Sequence, residues 1–145
     1  MEFHPYLLTH TQPVMDIHTK HKIVTQAYGP LSPLLRHPGG PLKPILTKIA
    51  ERLGTDEANV LLKWTIQKGV VAITTSSNEE RIKKMAAVDQ LQSLSDEEME
   101  EIDRVGRGVH FRSYAVSSFW VRGTKLIVKG HMSTDFPAPD LPDGK

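Results

Sequence analysis

Residues 70–73 form an apolar run, Val70-Val71-Ala72-Ile73, that passes through Thr74, Thr75, Ser76 and Ser77 into a helix start at Asn78. The run predicts a buried strand, and the helix that follows carries Arg81 in its first turn. With the elements before and after it the ordered part reads β-α-β-α-α-β-α-α, and strands separated by helices imply parallel pairing with helices covering the faces. Small hydroxyls at the carboxyl end of a strand, facing the unpaired N–H groups of a helix start, also make a seat for a phosphate. Arg81 can fork onto the same anion with two parallel hydrogen bonds. The plainer reading is that the Ser/Thr run only caps the helix and Arg81 is solvated.

The same alternation runs through the preceding chain. Residues 2–4 predict a very short strand stopped by Pro5. Thr11 is expected to cap a helix with Pro13 in its first turn, reaching about His21 with Val14 and Ile17 inward. Residues 22–28 (KIVTQAY) read as a strand. The stretch 29–44 holds five prolines and three glycines, which excludes regular structure over most of its length. A helix is then expected to Leu53, with Ile45, Ile49 and Leu53 on one face and Gly54 as its stop. Thr55 is expected to cap the next helix, which presents Val60, Leu61 and Trp64 and ends at Gly69. After the 70–73 strand, a helix over 79–89 places Ile82, Met85 and Ala86 inward. Ser95 and Glu98 form a capping box that opens a last helix to about Arg104. Beyond Val105 the pattern fades, apart from a possible strand at 126–128 and a loose end from Phe136.

The 145 residues suffice for one domain that buries about two thirds of its unfolded surface. Net charge is +1 with no basic stripe, so neither a nucleic-acid face nor an anionic membrane surface is indicated. There is no cysteine, which excludes disulfides and thiolate metal sites. No apolar run nears the ~20 residues of a membrane span, and the first residues lack the features of a secretory signal. The expectation is a soluble, cytoplasmic protein.

Four segments together resemble the carboxyl-terminal half of the aldo-keto reductase family. They are Glu2-Phe3-His4-Pro5-Tyr6; Gln26-Ala27-Tyr28-Gly29-Pro30-Leu31; Val60-Leu61-Leu62-Lys63-Trp64 with Gln67-Lys68-Gly69-Val70; and residues 73–81 (ITTSSNEER). Each is short, but their order and spacing cover roughly residues 1–105. Residues 94–103 also resemble the family's last helix. The resemblance implies an α/β fold: the last three β/α units of a (β/α)8 TIM barrel over 1–105, with an irregular tail over 106–145. It further implies NADP(H) lying across the carboxyl-end face, where barrel active sites sit. Tyr28 then matches the aromatic that stacks on the nicotinamide. Gly29 and Leu31 match the loop along the pyrophosphate, and Ser76 and Arg81 match the 2′-phosphate pocket. With Thr75 and Ser77 beside them, these seven are the expected cofactor-binding residues.

Departures from the family pattern weaken the expected site. Thr75 stands where a lysine is usual, Met85 where an asparagine faces the adenine, and Gly29 where a serine is common. Losing one charge-assisted contact to a phosphate costs about 1.5–3 kcal/mol, so weak binding and a blunted preference for NADPH over NADH are expected. The family reduces an aldehyde or ketone by hydride transfer, using a tyrosine acid, a lysine, an aspartate and a histidine. The resemblance places all four on the first half of the barrel, upstream of Met1, and Tyr6, Tyr28 and Tyr114 lack a Lys/Asp pairing in that pattern. No catalytic residue is therefore assigned here. Three readings follow: an oxidoreductase completed by a first-half barrel and acting on a small carbonyl substrate; a truncated, non-catalytic nucleotide-binding or interaction module that self-associates through open strand edges; or a fragment without a stable fold.

Other motifs carry less. The seven histidines include His18 and His21 on one helix and His4 and His10 flanking Pro5, but no H-E-x-x-H or suitably placed carboxylate accompanies them, so no metal site is expected. Gly106-Arg107-Gly108 begins like a dinucleotide fingerprint but lacks the third glycine and follows a helix. Trp64, Met85 and Met99 sit at core spacing, and the acidic run 96–101 suits a solvated first turn. Phe111, Tyr114, Phe119 and Trp120 cluster in the tail, where the family has a loop over the substrate pocket.

Overall fold

Pro5 ends the first extended segment and seeds a 3-10 turn, Pro5–Leu7, that runs straight into helix α1 (Leu8–Lys20). This geometry comes from a computed structural model, which describes residues 1–113 and the backbone of the strands at 117–121 and 124–128. After α1 come β1 (Gln26–Tyr28), α2 (Ser32–Leu35), α3 (Lys43–Leu53), α4 (Glu57–Gln67), β2 (Val71–Ile73), α5 (Glu79–Ala86) with a 3-10 turn Ala87–Gln90, and α6 (Asp96–Arg107). Strands β3 (Ser117–Val121) and β4 (Thr124–Val128) pair antiparallel. The expectation of an irregular tail is thereby corrected over those two segments. The apolar residues at 126–128 are part of a ladder with a partner that the sequence reading left unassigned.

β1 and β2 pair in parallel with Gln26 opposite Val71, Ala27 opposite Ala72 and Tyr28 opposite Ile73. On the other flank of β1, Glu2 forms a parallel bridge to Tyr28, supported by Tyr28 N–H donating to Met1 O at 3.0 Å. Three parallel segments thus lie side by side in chain order, joined by helices, as parallel pairing requires. The strand expected over 22–28 shortens to three residues. Lys22 sits at φ 54°, and Lys22 and Ile23 N–H donate to Thr19 and His18 carbonyls, which keeps the chain folded against the end of α1. The 70–73 strand also differs from expectation. Val70 is buried, but its N–H goes to Thr65 O, while Val71 and Ile73 are 45% and 47% exposed. Among the described residues β2 has a neighbour on one side only, so this apolar run is half-open instead of enclosed.

The core lies between α3, α4, α6 and residues 3–8. Trp64 is wholly buried and stacks on Phe3 at 5.4 Å, with Leu7, Leu46, Val60, Leu61 and Ile102 also inaccessible. Burying each such side chain contributes about 1.5–3 kcal/mol. Gly106 lets α6 approach the Pro5–Leu7 turn, since a Cβ there would sit 2.5 Å from Pro5 O. Gly54 ends α3 in the left-handed region at φ 62°, as expected. Both arms of the Ser95–Glu98 capping box are formed, and Asn78 caps α5.

Other expectations are corrected. Thr11 does not cap: α1 begins at Leu8, and the Thr11 hydroxyl donates back to Leu7 O at 3.0 Å. Val14 and Ile17 are exposed, as are Ile82 and Ala86 on α5, because the described residues pack nothing over those faces. The cap of α4 is Asp56 in place of Thr55, with Asp56 Oδ1 accepting from Asn59 N–H. α5 ends at Ala86, three residues short of the expected 89, where the chain tightens into a 3-10 turn, and α6 continues to Arg107. Phe111 is buried against His37 at 5.2 Å, whereas Tyr114 and the side chains of Phe119 and Trp120 lie outside the described residues. No helix among the described residues is long and apolar enough to cross a membrane.

Candidate functional site

A cleft of about 400 Å³ opens where β1 and β2 end. In α/β sheets this carboxyl-end rim is where ligands bind, because successive strand-to-helix loops converge there. Three segments line it: residues 29–36 after β1, residues 56–59 at the start of α4, and residues 73–85 from β2 into α5. The first is shaped by proline and glycine. Gly29 adopts φ 65°, and Ser32 N–H donates to Gly29 O, turning the chain into α2 within four residues.

The third segment is held by its own hydroxyl and amide groups. Ser76 Oγ accepts from Asn78 N–H at 3.1 Å, and Asn78 Oδ1 accepts from Arg81 N–H at 3.0 Å. Capping of the helix start is thus accomplished by Ser76 and Asn78. The guanidinium of Arg81 remains exposed, without an ion pair among the described residues, and faces the cleft. The acidic first turn does not cancel this charge. Glu79 and Glu80 both pair with Lys83, at 3.0 and 3.3 Å, and none of the three lines the cleft.

Of the seven residues expected from sequence, the structure brings five to this cleft: Gly29, Leu31, Thr75, Ser76 and Arg81. Tyr28 lies at the end of β1 opposite Ile73, 42% exposed, and neither it nor Ser77 lines the cavity. Arg36 and Lys84, which sequence reasoning did not single out, do line it. Lys84 could have been found, since it stands three residues after Arg81 on the same helix and so on the same face. Arg36 had no such signal, because its position depends on how α2 turns at its end. Pro30, Leu35, Ala58, Ile73 and Met85 add apolar wall. Cations, small hydroxyls and apolar surface together suit a ligand with phosphates and a planar base.

The histidines are placed elsewhere. His18 Nδ1 meets Thr25 Oγ1 at 2.7 Å, and His4, fully buried, meets Glu2 Oε1 at 3.1 Å. Among the described residues, no group of three or more His, Asp or Glu side chains is placed to hold a metal ion.

Residues 3–107 match the model of the Aldo/keto reductase family. The chain is 32% identical over 114 residues to an NAD/NADP-dependent indole-3-acetaldehyde reductase of Schizosaccharomyces pombe, covering 79% of this chain and 40% of that protein. It is 36% identical over 132 residues to morphine 6-dehydrogenase of Pseudomonas putida, covering 82% of this chain and 44% of that one. A solved aldo/keto reductase from Brucella melitensis superposes with a TM-score of 0.61 at 29% identity, over 72% of this chain and 37% of its own. The chain thus spans 40% and 44% of the lengths of these two relatives and 37% of the solved chain.

Proposed function

The chain belongs to the aldo/keto reductase family, and on that footing we propose that it forms the last three β/α units of a (β/α)8 barrel and grips the adenosine-phosphate part of NADP(H). One observation carries the reading: three cations, Arg36, Arg81 and Lys84, and the hydroxyls of Thr75 and Ser76 line one cleft at the carboxyl ends of two parallel strands. Arg81 forks onto a phosphate while Ser76, whose oxygen already accepts from Asn78, donates its own proton to it. Residues 29–31 run beside the diphosphate, and Tyr28, at the strand end, offers its ring to the nicotinamide. When bound, the coenzyme supplies the hydride that converts an aldehyde or ketone to an alcohol.

The proton for that alcohol comes from outside these residues. Among the described residues Tyr6 is the buried tyrosine, but its hydroxyl accepts from Leu42 N–H at 3.3 Å, and burial raises its pKa, the wrong direction for an acid that must release a proton easily. We assign the catalytic acid to a first-half barrel segment whose strands pair along the outer edges of β2 and residues 1–3. Without that segment the same edges favour self-association, and the chain then acts as a nucleotide-binding module.

Titrating the 145-residue chain into NADPH, followed by coenzyme fluorescence, tests the site. Saturable binding that weakens at least tenfold in Arg81→Ala is expected, and binding indifferent to that change refutes the assignment. Co-expression with a first-half segment from a related barrel tests the chemistry. NADPH consumption with an aromatic aldehyde only in the pair supports the oxidoreductase reading; turnover by neither leaves the binding-module reading in its place.

A further inference from the structure

Among the described residues five cations pair with carboxylates: Lys43 with Glu57, Arg52 with Glu98, Lys68 and Arg107 with Asp103, and Lys83 with Glu79 and Glu80. Arg36, Arg81 and Lys84 have no such partner among the described residues, yet all three line the same cleft. Among the described residues Asp56 is the one carboxylate lining it; it accepts from Asn59 N–H at the start of α4 and its single charge offsets only one of the three. Like charges gathered around a concavity repel one another unless a ligand of opposite charge offsets them. The three also come from two separate elements. Arg81 and Lys84 rise from successive turns of α5, whereas Arg36 comes from the residue that caps α2. A ligand that satisfies both groups carries two separate anionic centres.

We propose that Lys84 and Arg36 set the coenzyme preference of this cleft: Lys84 joins Arg81 on the monoester phosphate that distinguishes NADPH from NADH, and Arg36 takes the diphosphate common to both. The inference rests on the coenzyme reading above. It reverses the expectation that Thr75, lacking a charge, leaves the preference blunted. The positive charge is present, delivered from one turn further along the helix. Lys83 supplies the internal comparison. It carries the same charge on the adjacent residue, but it is turned toward Glu79 and Glu80 and does not line the cleft.

The experiment titrates the 145-residue chain with NADPH and with NADH for the wild type, Lys84→Met, Arg36→Met and Lys83→Met, with circular dichroism confirming each fold. Lys84 and Arg36 are exposed, so neither substitution disturbs packing. Lys84→Met is expected to weaken NADPH about tenfold and leave NADH within about twofold, as loss of one charge-assisted contact requires. Arg36→Met is expected to weaken both coenzymes about equally, and Lys83→Met to change neither by more than about twofold. A Lys84→Met profile matching that of Lys83→Met, or falling equally for both coenzymes, overturns this inference while leaving the coenzyme reading intact. Wild-type chain that binds neither coenzyme overturns both.

Discussion

Trp64 and Asp103 are joined across the core: the indole Nε1–H donates to Asp103 Oδ1 at 2.9 Å, which ties α4 to α6. The other carboxylate oxygen holds the Lys68 ammonium, and Arg107 approaches it at 3.7 Å. Asp103 is only 6% exposed, so its charge is tolerable only because these donors surround it. Asp103→Leu orphans a buried indole N–H and removes the partner of two cations. We expect a loss of about 2–3 kcal/mol in urea unfolding followed by circular dichroism. Asp103→Asn keeps an acceptor for the indole and should cost about 1 kcal/mol. Equal losses in the two variants would show that the ion pairs, and not the indole bond, hold the helices together.

The close passage of α6 over Pro5 gives a second expectation. A Cβ on Gly106 would meet Pro5 O at 2.5 Å and Pro5 Cβ at 2.7 Å, both parts of a buried turn that has no slack. Gly106→Ala should therefore destabilise by about 2–3 kcal/mol, in the range of core overpacking. Gly108→Ala is the comparison: its nearest contact would be Val105 O at 3.4 Å, and its φ of −75° suits any residue. That variant should stay within about 0.5 kcal/mol of the parent. Thermal melts of the two separate these outcomes directly.

What could be read beforehand divides by range. Signals complete within four residues were legible: the Ser95–Glu98 box, the Asn78 cap and the Gly54 stop all stand where the sequence puts them. Thr55 against Asp56 was a one-residue error between two good caps, decided by which one reaches Asn59 N–H. Thr11 failed for a different reason. The Pro5–Leu7 turn had already started the helix, so the hydroxyl found a carbonyl behind it. Faces were the least legible. Val14, Ile17, Ile82 and Ala86 have the spacing of core residues, but spacing shows only that a face is apolar, and what covers it depends on partners distant in sequence. In the cleft, the strand-to-helix residues were found from local chemistry, whereas Arg36 needed the tertiary turn of the 29–36 loop.

Stability should fall as the solution is acidified, from two sets of groups acting in the same direction. Burial holds His4 below the ordinary histidine value despite the neighbouring Glu2 carboxylate. Burial, reinforced by His10 and Arg112, does the same to His110, whose Nδ1 lies 3.0 Å from that of His10. Both rings bind protons more readily unfolded. Their contribution is therefore complete above about pH 6.5 and declines as pH drops below that toward their lowered folded values. Glu57 and Glu98 follow at lower pH. Burial alone would raise them, but Lys43 and Thr47 on the one, and Arg52 and the Ser95 N–H on the other, hold them down. Their contribution is present above the ordinary carboxylate range and is lost as pH falls through it. Urea midpoints should hold from pH 7.5 to about 6.5 and decline from there to pH 4, and His110→Gln should lessen the decline between about pH 6.5 and 5.5. A stability maximum below pH 6 would contradict this account.

The exposed apolar side chains beside the sheet allow folding to be separated from assembly. Val71 and Ile73 are half-open on β2, and Ile17 and Val24 are 55% and 72% exposed near β1. A side chain already in water contributes little to the fold it sits on, so Ile73→Thr and Val24→Thr should each move the urea midpoint of the chain alone by less than about 0.5 kcal/mol. If these positions face the strands of a completing barrel segment, each removes apolar area from that junction at about 25 cal/mol per Å². The same substitutions should then reduce recovery of the paired complex on size-exclusion chromatography, and replacing both residues should reduce it further. Loss of stability without loss of pairing would mean that these side chains belong to the core of this chain and that the completing segment approaches from another side.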